Sequence, residues 1–181
     1  MSFVNLSKLS EKYTTGLMKD NVENLVEFDH YHCLLAGGMS TSLKVQSILG
    51  NVPKQFLDWL KICDGGLLFD TVMLSTKEHD ADLDLDFDTY EELNSEEAKA
   101  NFGLPDGYAV FAFRSYGDPI CFNVKENDGK VYLWNVENGD FDDIWDSFED
   151  WMTEEVDDAV GLIADDVLEP LGVKLGGEDD E

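Results

Sequence analysis

Basic residues are scarce in this sequence. Lysines and arginines number 12 against 40 aspartates and glutamates, a formal net charge of -28. A surface of that sign repels nucleic-acid phosphates and anionic lipid headgroups, and it attracts basic proteins. DNA, RNA and membranes are therefore set aside as partners. Acid enrichment also serves solubility alone, so the charge indicates a class of partner and not yet a function. Cysteine is scarce as well: Cys33, Cys63 and Cys121 stand far apart, each beside apolar residues. An odd, scattered set fits buried free thiols in a reducing compartment, not a disulfide framework. No apolar run approaches the ~18 residues of a membrane span. The opening MSFVNLSKLSEKY lacks the basic region and apolar run of a secretory signal. These absences point to the cytoplasm.

The usual signatures of enzymes are missing too. There is no phosphate loop, no dinucleotide glycine fingerprint and no nucleophile elbow. Cys121 lies between Ile120 and Phe122 and Cys63 lies among apolar residues, so packing explains both better than nucleophilic catalysis. The carboxylates are too numerous for one acid/base pair to stand out. Two metal constellations can be tested. Asp80, Asp82, Asp84 and Glu91 match positions 1, 3, 5 and 12 of a calcium-binding helix–loop–helix, but position 6, where the turn needs glycine, is Leu85. His30, His32 and Cys33 offer zinc ligands with only the distant His79 to extend them. Catalytic residues, metal and cofactor are all expected to be none, with an acidic-surface calcium binder as an alternative reading.

What is present is a folded globule, for 43% of the residues are hydrophobic and 12% aromatic. Its clearest local signal is the stretch 113–135, FRSYGDPICFNVKENDGKVYLWN. Two alternating runs rich in β-branched and aromatic residues flank Asp128-Gly129, a pair that supplies the positive φ of a tight hairpin turn. With those two at the centre, Val124 falls opposite Leu133. Phe122, Val124, Val131 and Leu133 then share one face, and Cys121, Tyr132, Trp134 and Val136 the other. The turn Tyr116-Gly117-Asp118-Pro119 and a further strand over 108–114 precede them, so three strands form an antiparallel meander.

The flanks read as follows. Helical spacing is seen at Leu17, Met18, Val22, Leu25, Val26 and Phe28, with a helical extension over residues 1–40. A short helix capped by Ser40 or Thr41 ends near Gly50, and a second starts after Pro53 and stops at Asp64-Gly65-Gly66. A strand follows over 67–74. DADLDLDFD, residues 80–88, reads as one strand with Asp82, Asp84, Asp86 and Asp88 on a single face, a costly arrangement without cations or basic groups nearby. Residues 89–100 read as an acidic helix. Ile144, Trp145, Phe148, Trp151, Met152 and Val156 mark an amphipathic helix whose other face carries Asp142, Asp143 and Asp146. The domain spans 1–170, and 171–181 is an acidic flexible tail.

The helix PKQFLDWL, the stop DGGL, the runs YGDPICFNV and VYLW and the closing FEDWM occur in an order that resembles the SUKH superfamily. That group includes the yeast cell-wall assembly regulator and many bacterial immunity proteins. The resemblance covers roughly residues 41–152; the first forty residues and the acidic run 80–88 match no motif of the family. It implies an α+β fold, a central antiparallel meander sheet flanked by helices, and no catalytic residues. It also implies a protein that neutralises a cognate toxin, often a nuclease, by binding it, or a regulatory scaffold module. Charge and position, not the family, select the partner-binding candidates: Asp82, Asp84, Asp86, Asp88, Asp142, Asp143 and Asp146, with Tyr116 and Trp134 as apolar anchors. The partner expected is a basic toxin domain.

Overall fold

The computed structural model describes residues 32–68, 70–80 and 85–162. In chain order the elements are β1 (His32–Ala36), α1 (Met39–Leu49), α2 (Lys54–Leu60), β2 (Cys63–Leu68) and β3 (Thr71–Met73). A small hairpin follows, β4 (His79–Asp80) with β5 (Leu85–Asp86), then α3 (Tyr90–Leu93) and α4 (Glu96–Phe102). The chain closes with β6 (Tyr108–Arg114), β7 (Pro119–Asn123), β8 (Val131–Asn135), β9 (Asp140–Trp145) and α5 (Phe148–Leu162). Seven strands form one sheet in the order β1-β2-β3-β6-β7-β8-β9. Every neighbour in it is antiparallel. The α+β meander expected from the sequence is there, with more strands than three.

One face of the sheet carries the aromatic core. Phe111 and Phe122 stack with centroids 4.2 Å apart. Phe56 of α2 lies 5.2 Å from Phe111, 5.0 Å from Phe122 and 5.3 Å from Phe148 of α5. Trp151 meets Phe111 edge-on at 5.0 Å. Period-two alternation explains the grouping: Ile120, Phe122, Val131 and Leu133 are paired across β7 and β8 and so point the same way. The opposite face gathers Tyr108, Tyr132, Trp134 and Phe141. There the Trp134 Nε1–H donates to the Phe102 carbonyl at 2.9 Å, which seats the end of α4 over that face.

Short helices need caps, and α3 and α4 have them. Thr89 and Glu92 form a reciprocal capping box on α3. Ser95 caps α4, which stops at Gly103 with φ 66°. The Ser147 hydroxyl accepts the Asp150 N–H at the start of α5. Asn94 does something else. β3 is three residues long, and past its end the Leu74 N–H reaches the Phe111 carbonyl at 3.1 Å. The next buried residue of β6, Val110, finds its partners in the Asn94 amide, which accepts its N–H and donates to its carbonyl, both at 2.8 Å. Asn94→Ala is expected to cost about 2 kcal/mol, because it strands two buried backbone groups. Urea denaturation would measure the loss, and an unchanged midpoint would show that the amide is dispensable.

Several expectations are corrected. The β7–β8 hairpin pairs Ile120, not Val124, with Leu133. Residues 124–127 form a turn instead of strand: the Asn127 N–H donates to the Asn123 carbonyl at 2.9 Å and the Glu126 N–H to the Asn123 side chain at 3.0 Å. The slip is an even number of residues, so the two face assignments survive it. Neither Ser40 nor Thr41 caps α1, which begins at Met39 behind Gly38. Asp64, Gly65 and Gly66 are strand residues of β2, not a helix stop. At Gly65, φ is 93° and a Cβ would lie 2.7 Å from the Leu74 carbonyl oxygen, so only glycine fits. The strand expected over 67–74 is two, β2 and β3. The acidic run is not one strand: its ends pair with each other as β4 and β5. Residues 89–100 hold two helices, and Ile144 and Trp145 belong to β9 instead of α5. Of the helical extension expected over 1–40, His32–Ala36 are instead strand β1, paired with β2; the helix expected over 17–28 and the tail 171–181 lie outside the described residues.

Candidate functional site

In an antiparallel meander alternate turns fall at one end of the sheet. The β2–β3, β6–β7 and β8–β9 turns therefore share an end, and their bonds tie them together. The Ser115 N–H donates to the Asp70 carbonyl at 2.5 Å, and the Val136 N–H to the Asp118 carboxylate at 3.0 Å. The Asn135 amide donates to Asp142 at 2.7 Å. Tyr116 stands at the tip of the middle turn, beside Gly117 with φ 106°. It is 66% exposed, more than any other large hydrophobic residue of the described chain. Its phenol is pushed up from its ordinary value, first by burial and then by Asp118, Asp70 and Asp142, against the opposing pull of Arg114. An exposed ring thus sits at an end of the sheet that also carries Asp70, Asp118 and Asp142. Val136, 38% exposed, adds an apolar neighbour on the adjoining turn.

Among the described residues, the one basic side chain at this end faces inward. Arg114 holds Glu155 of α5 with both nitrogens, Nη1 to Oε2 at 2.9 Å and Nη2 to Oε1 at 2.7 Å. Nη1 also donates to Thr71 Oγ1 at 2.6 Å, whose hydroxyl donates to Glu155 at 2.7 Å. Glu155 is 6% exposed. Burial raises its carboxyl above the usual range, and Thr71 and Arg114 offset only part of that. Burial lowers the guanidinium, but Glu155 outweighs it and keeps Arg114 firmly charged. The Asp70 carboxylate, 56% exposed, is 3.4 Å from Arg114 on the outer side. Outside this buried pair, residues 70, 115–118 and 136–139 carry no lysine or arginine.

The residues singled out from the sequence fall in different places. Tyr116 and Asp142 are at this acidic end. Asp143 is exposed on β9, opposite Leu133. Asp146 lies at the far end of β9, paired with Lys130 at 3.0 Å. Trp134 is 5% exposed with its indole N–H bonded to Phe102, so it packs α4 on the sheet and is no surface anchor. Asp88 is exposed, its carboxyl raised by burial and by Glu92. Its carbonyl takes the Ser75 N–H just past β3, four strand spacings from β9, or about 19 Å at ~4.8 Å each. Asp86 belongs to β5, and Asp82 and Asp84 lie outside the described residues. The acidic run and the β9 aspartates are thus separate surfaces. Asp70 and Asp118 were not singled out from the sequence; only the strand count shows that their turns meet. Among the described residues no cluster of histidine, cysteine or carboxylates could hold a metal. None of their helices is long and apolar enough to cross a membrane.

Comparison with protein families gives a match over residues 43–154 to the SMI1/KNR4 family (SUKH-1). That is more than half of the chain. The chain belongs to the SMI1/KNR4 family. No curated protein matches it. The matched span contains every strand of the SUKH-1 sheet except β1, and with them the three turns of the acidic end.

Proposed function

We propose that this SUKH-1 protein is a non-enzymatic immunity protein of the cytoplasm, which neutralises a basic, nuclease-type toxin domain by binding it. The observation that carries the reading is the exposed Tyr116 ring among Asp70, Asp118 and Asp142, with Arg114 turned inward. A lysine or arginine of the partner can lie over the ring with its charge against the carboxylates. Charge complementarity speeds encounter, while an aromatic anchor slows release. The buried free thiol of Cys121 suits a reducing compartment. Asp82, Asp84, Asp86 and Asp88 are a second set of candidate partner contacts, tested separately by joint change to asparagine.

The test is capture of partners from the protein's own cells, with elution by a salt gradient. One stoichiometric partner with a basic domain, whose activity this protein abolishes, is the expected result. A scatter of weak partners released at low salt would replace the immunity reading with a regulatory scaffold. Tyr116→Ala is then expected to weaken the complex about 30-fold, roughly 2 kcal/mol, without unfolding the protein. An affinity unchanged by Tyr116→Ala would exclude this end of the sheet.

A further inference from the structure

The seven-stranded sheet ends at β9, and none of the described residues pairs with its outer side. The outward N–H and C=O groups of that edge are thus available to another strand. β9 differs from its neighbours in what it shows to solvent. β2, β3, β6, β7 and β8 are mostly buried, whereas Asp140, Asp142, Asp143 and Ile144 of β9 are exposed. Acid-lined edges guard against pairing with the wrong chain. Two copies of this edge side by side would set aspartate against aspartate, so a second copy is a poor occupant. From Val136 to Leu162 there is no lysine or arginine to soften that repulsion.

We propose that the edge of β9 over Asp143–Trp145 receives an extended basic segment of the partner, which adds an eighth strand to the sheet. The inference rests on the reading above that the partner is basic, and it goes beyond that reading in naming the mode of contact. Register defines what the segment must carry. Asp143 and Trp145 lie opposite Leu133 and Val131, on the α5 face, while Ile144 lies opposite Tyr132 on the α4 face. On the α5 side the Trp145 indole already donates to Glu154 at 2.9 Å, so a helix carboxylate stands beside the Asp143 row. On the other side Ile144 is 55% exposed. A strand laid here would place a lysine or arginine across from Asp143 and an apolar residue across from Ile144, an alternation of basic and apolar side chains. Pairing would stop near Asp142, where the β8–β9 register shifts and the strand bends.

The probe is a hexapeptide of alternating lysine and valine, added to the full chain labelled for amide exchange by NMR. Its control has the same charges but N-methyl groups on alternate amides, one version for each register. The unmodified peptide is expected to protect the outward-pointing amides within Asp143–Trp145, which alternate with those already directed at β8. Both N-methyl versions together should show the backbone dependence, with the one that blocks the paired amides at least ~10-fold weaker. Asp143→Lys, a change at an exposed position, is expected to weaken the unmodified peptide by a similar factor. Equal binding of all three peptides would overturn the proposal in favour of unspecific charge attraction. Protection elsewhere, no binding at millimolar peptide, or self-association through β9 at high salt would overturn it too. Failure of the immunity reading looks different: the peptide would protect β9 while capture from cells returned no basic partner.

Discussion

Phe56→Ala is expected to lower the free energy of unfolding by about 4 kcal/mol, the upper part of the range for a buried aromatic cut back to alanine. Phe56 is fully buried, and its ring is shared by β6, β7 and α5 through Phe111, Phe122 and Phe148. The cavity left behind would face rigid rings rather than flexible side chains, so collapse would recover little. Phe56→Leu should cost under about 1.5 kcal/mol, since most of the volume stays filled. Denaturation in urea, monitored by tryptophan fluorescence, separates the two. A loss below about 1 kcal/mol for the alanine variant, less than full burial of one such side chain contributes, would mean that α2 does not anchor the core. A domain of ordinary stability, about 5–15 kcal/mol, would lose a large share of it.

Glu155→Ala is the second, at about 3 kcal/mol. Arg114 has 14% of its side chain exposed, and the variant leaves its guanidinium without its bidentate acceptor. Thr71 and the outer Asp70 remain, which is why the expected cost sits at the low end for a broken buried pair. The raised Glu155 carboxyl indicates that the pair itself gains little net stability over its desolvation. Changing both members, Arg114→Met with Glu155→Leu, should therefore restore most of the loss. A double-mutant cycle measures this directly, and additive single effects would refute the coupling. The functional consequence follows from position. Arg114 is two residues from Tyr116, and freeing its charge outward would place a cation among the carboxylates of the acidic end. Partner affinity should fall in Glu155→Ala even when the folded fraction is held constant.

Much of the fold was legible from local rules. Alternation over 108–114, 119–123 and 131–135 reveals three strands, and the helical spacing of Phe56, Trp59 and Leu60 marks α2 with its buried face. β9 was not legible, because Asp140, Asp142, Asp143 and Ile144 look like one side of the helix that follows. An edge strand needs only one partner and little burial, so its pattern is weak. Losing β9 also hid the site: without the β8–β9 turn, nothing placed Asp142 near Tyr116. Trp134 misled for the opposite reason. An indole on the less aliphatic hairpin face resembles a surface anchor until α4, remote in sequence, supplies the Phe102 carbonyl.

The sequence by itself determined the α+β class, the family order of motifs, the alternating faces of β7 and β8 and the acidic sign of the net charge. These depend on nearest neighbours along the chain or on total charge, and neither needs three-dimensional contacts. Tertiary structure alone decided which turns meet, that Trp134 is buried while Tyr116 is free, and that Arg114 points inward to Glu155. Each of those depends on residues far apart in sequence, such as Arg114 and Glu155 with their separation of 41. Their proximity is set by strand count and by which side of the sheet each helix covers, quantities that no local window contains.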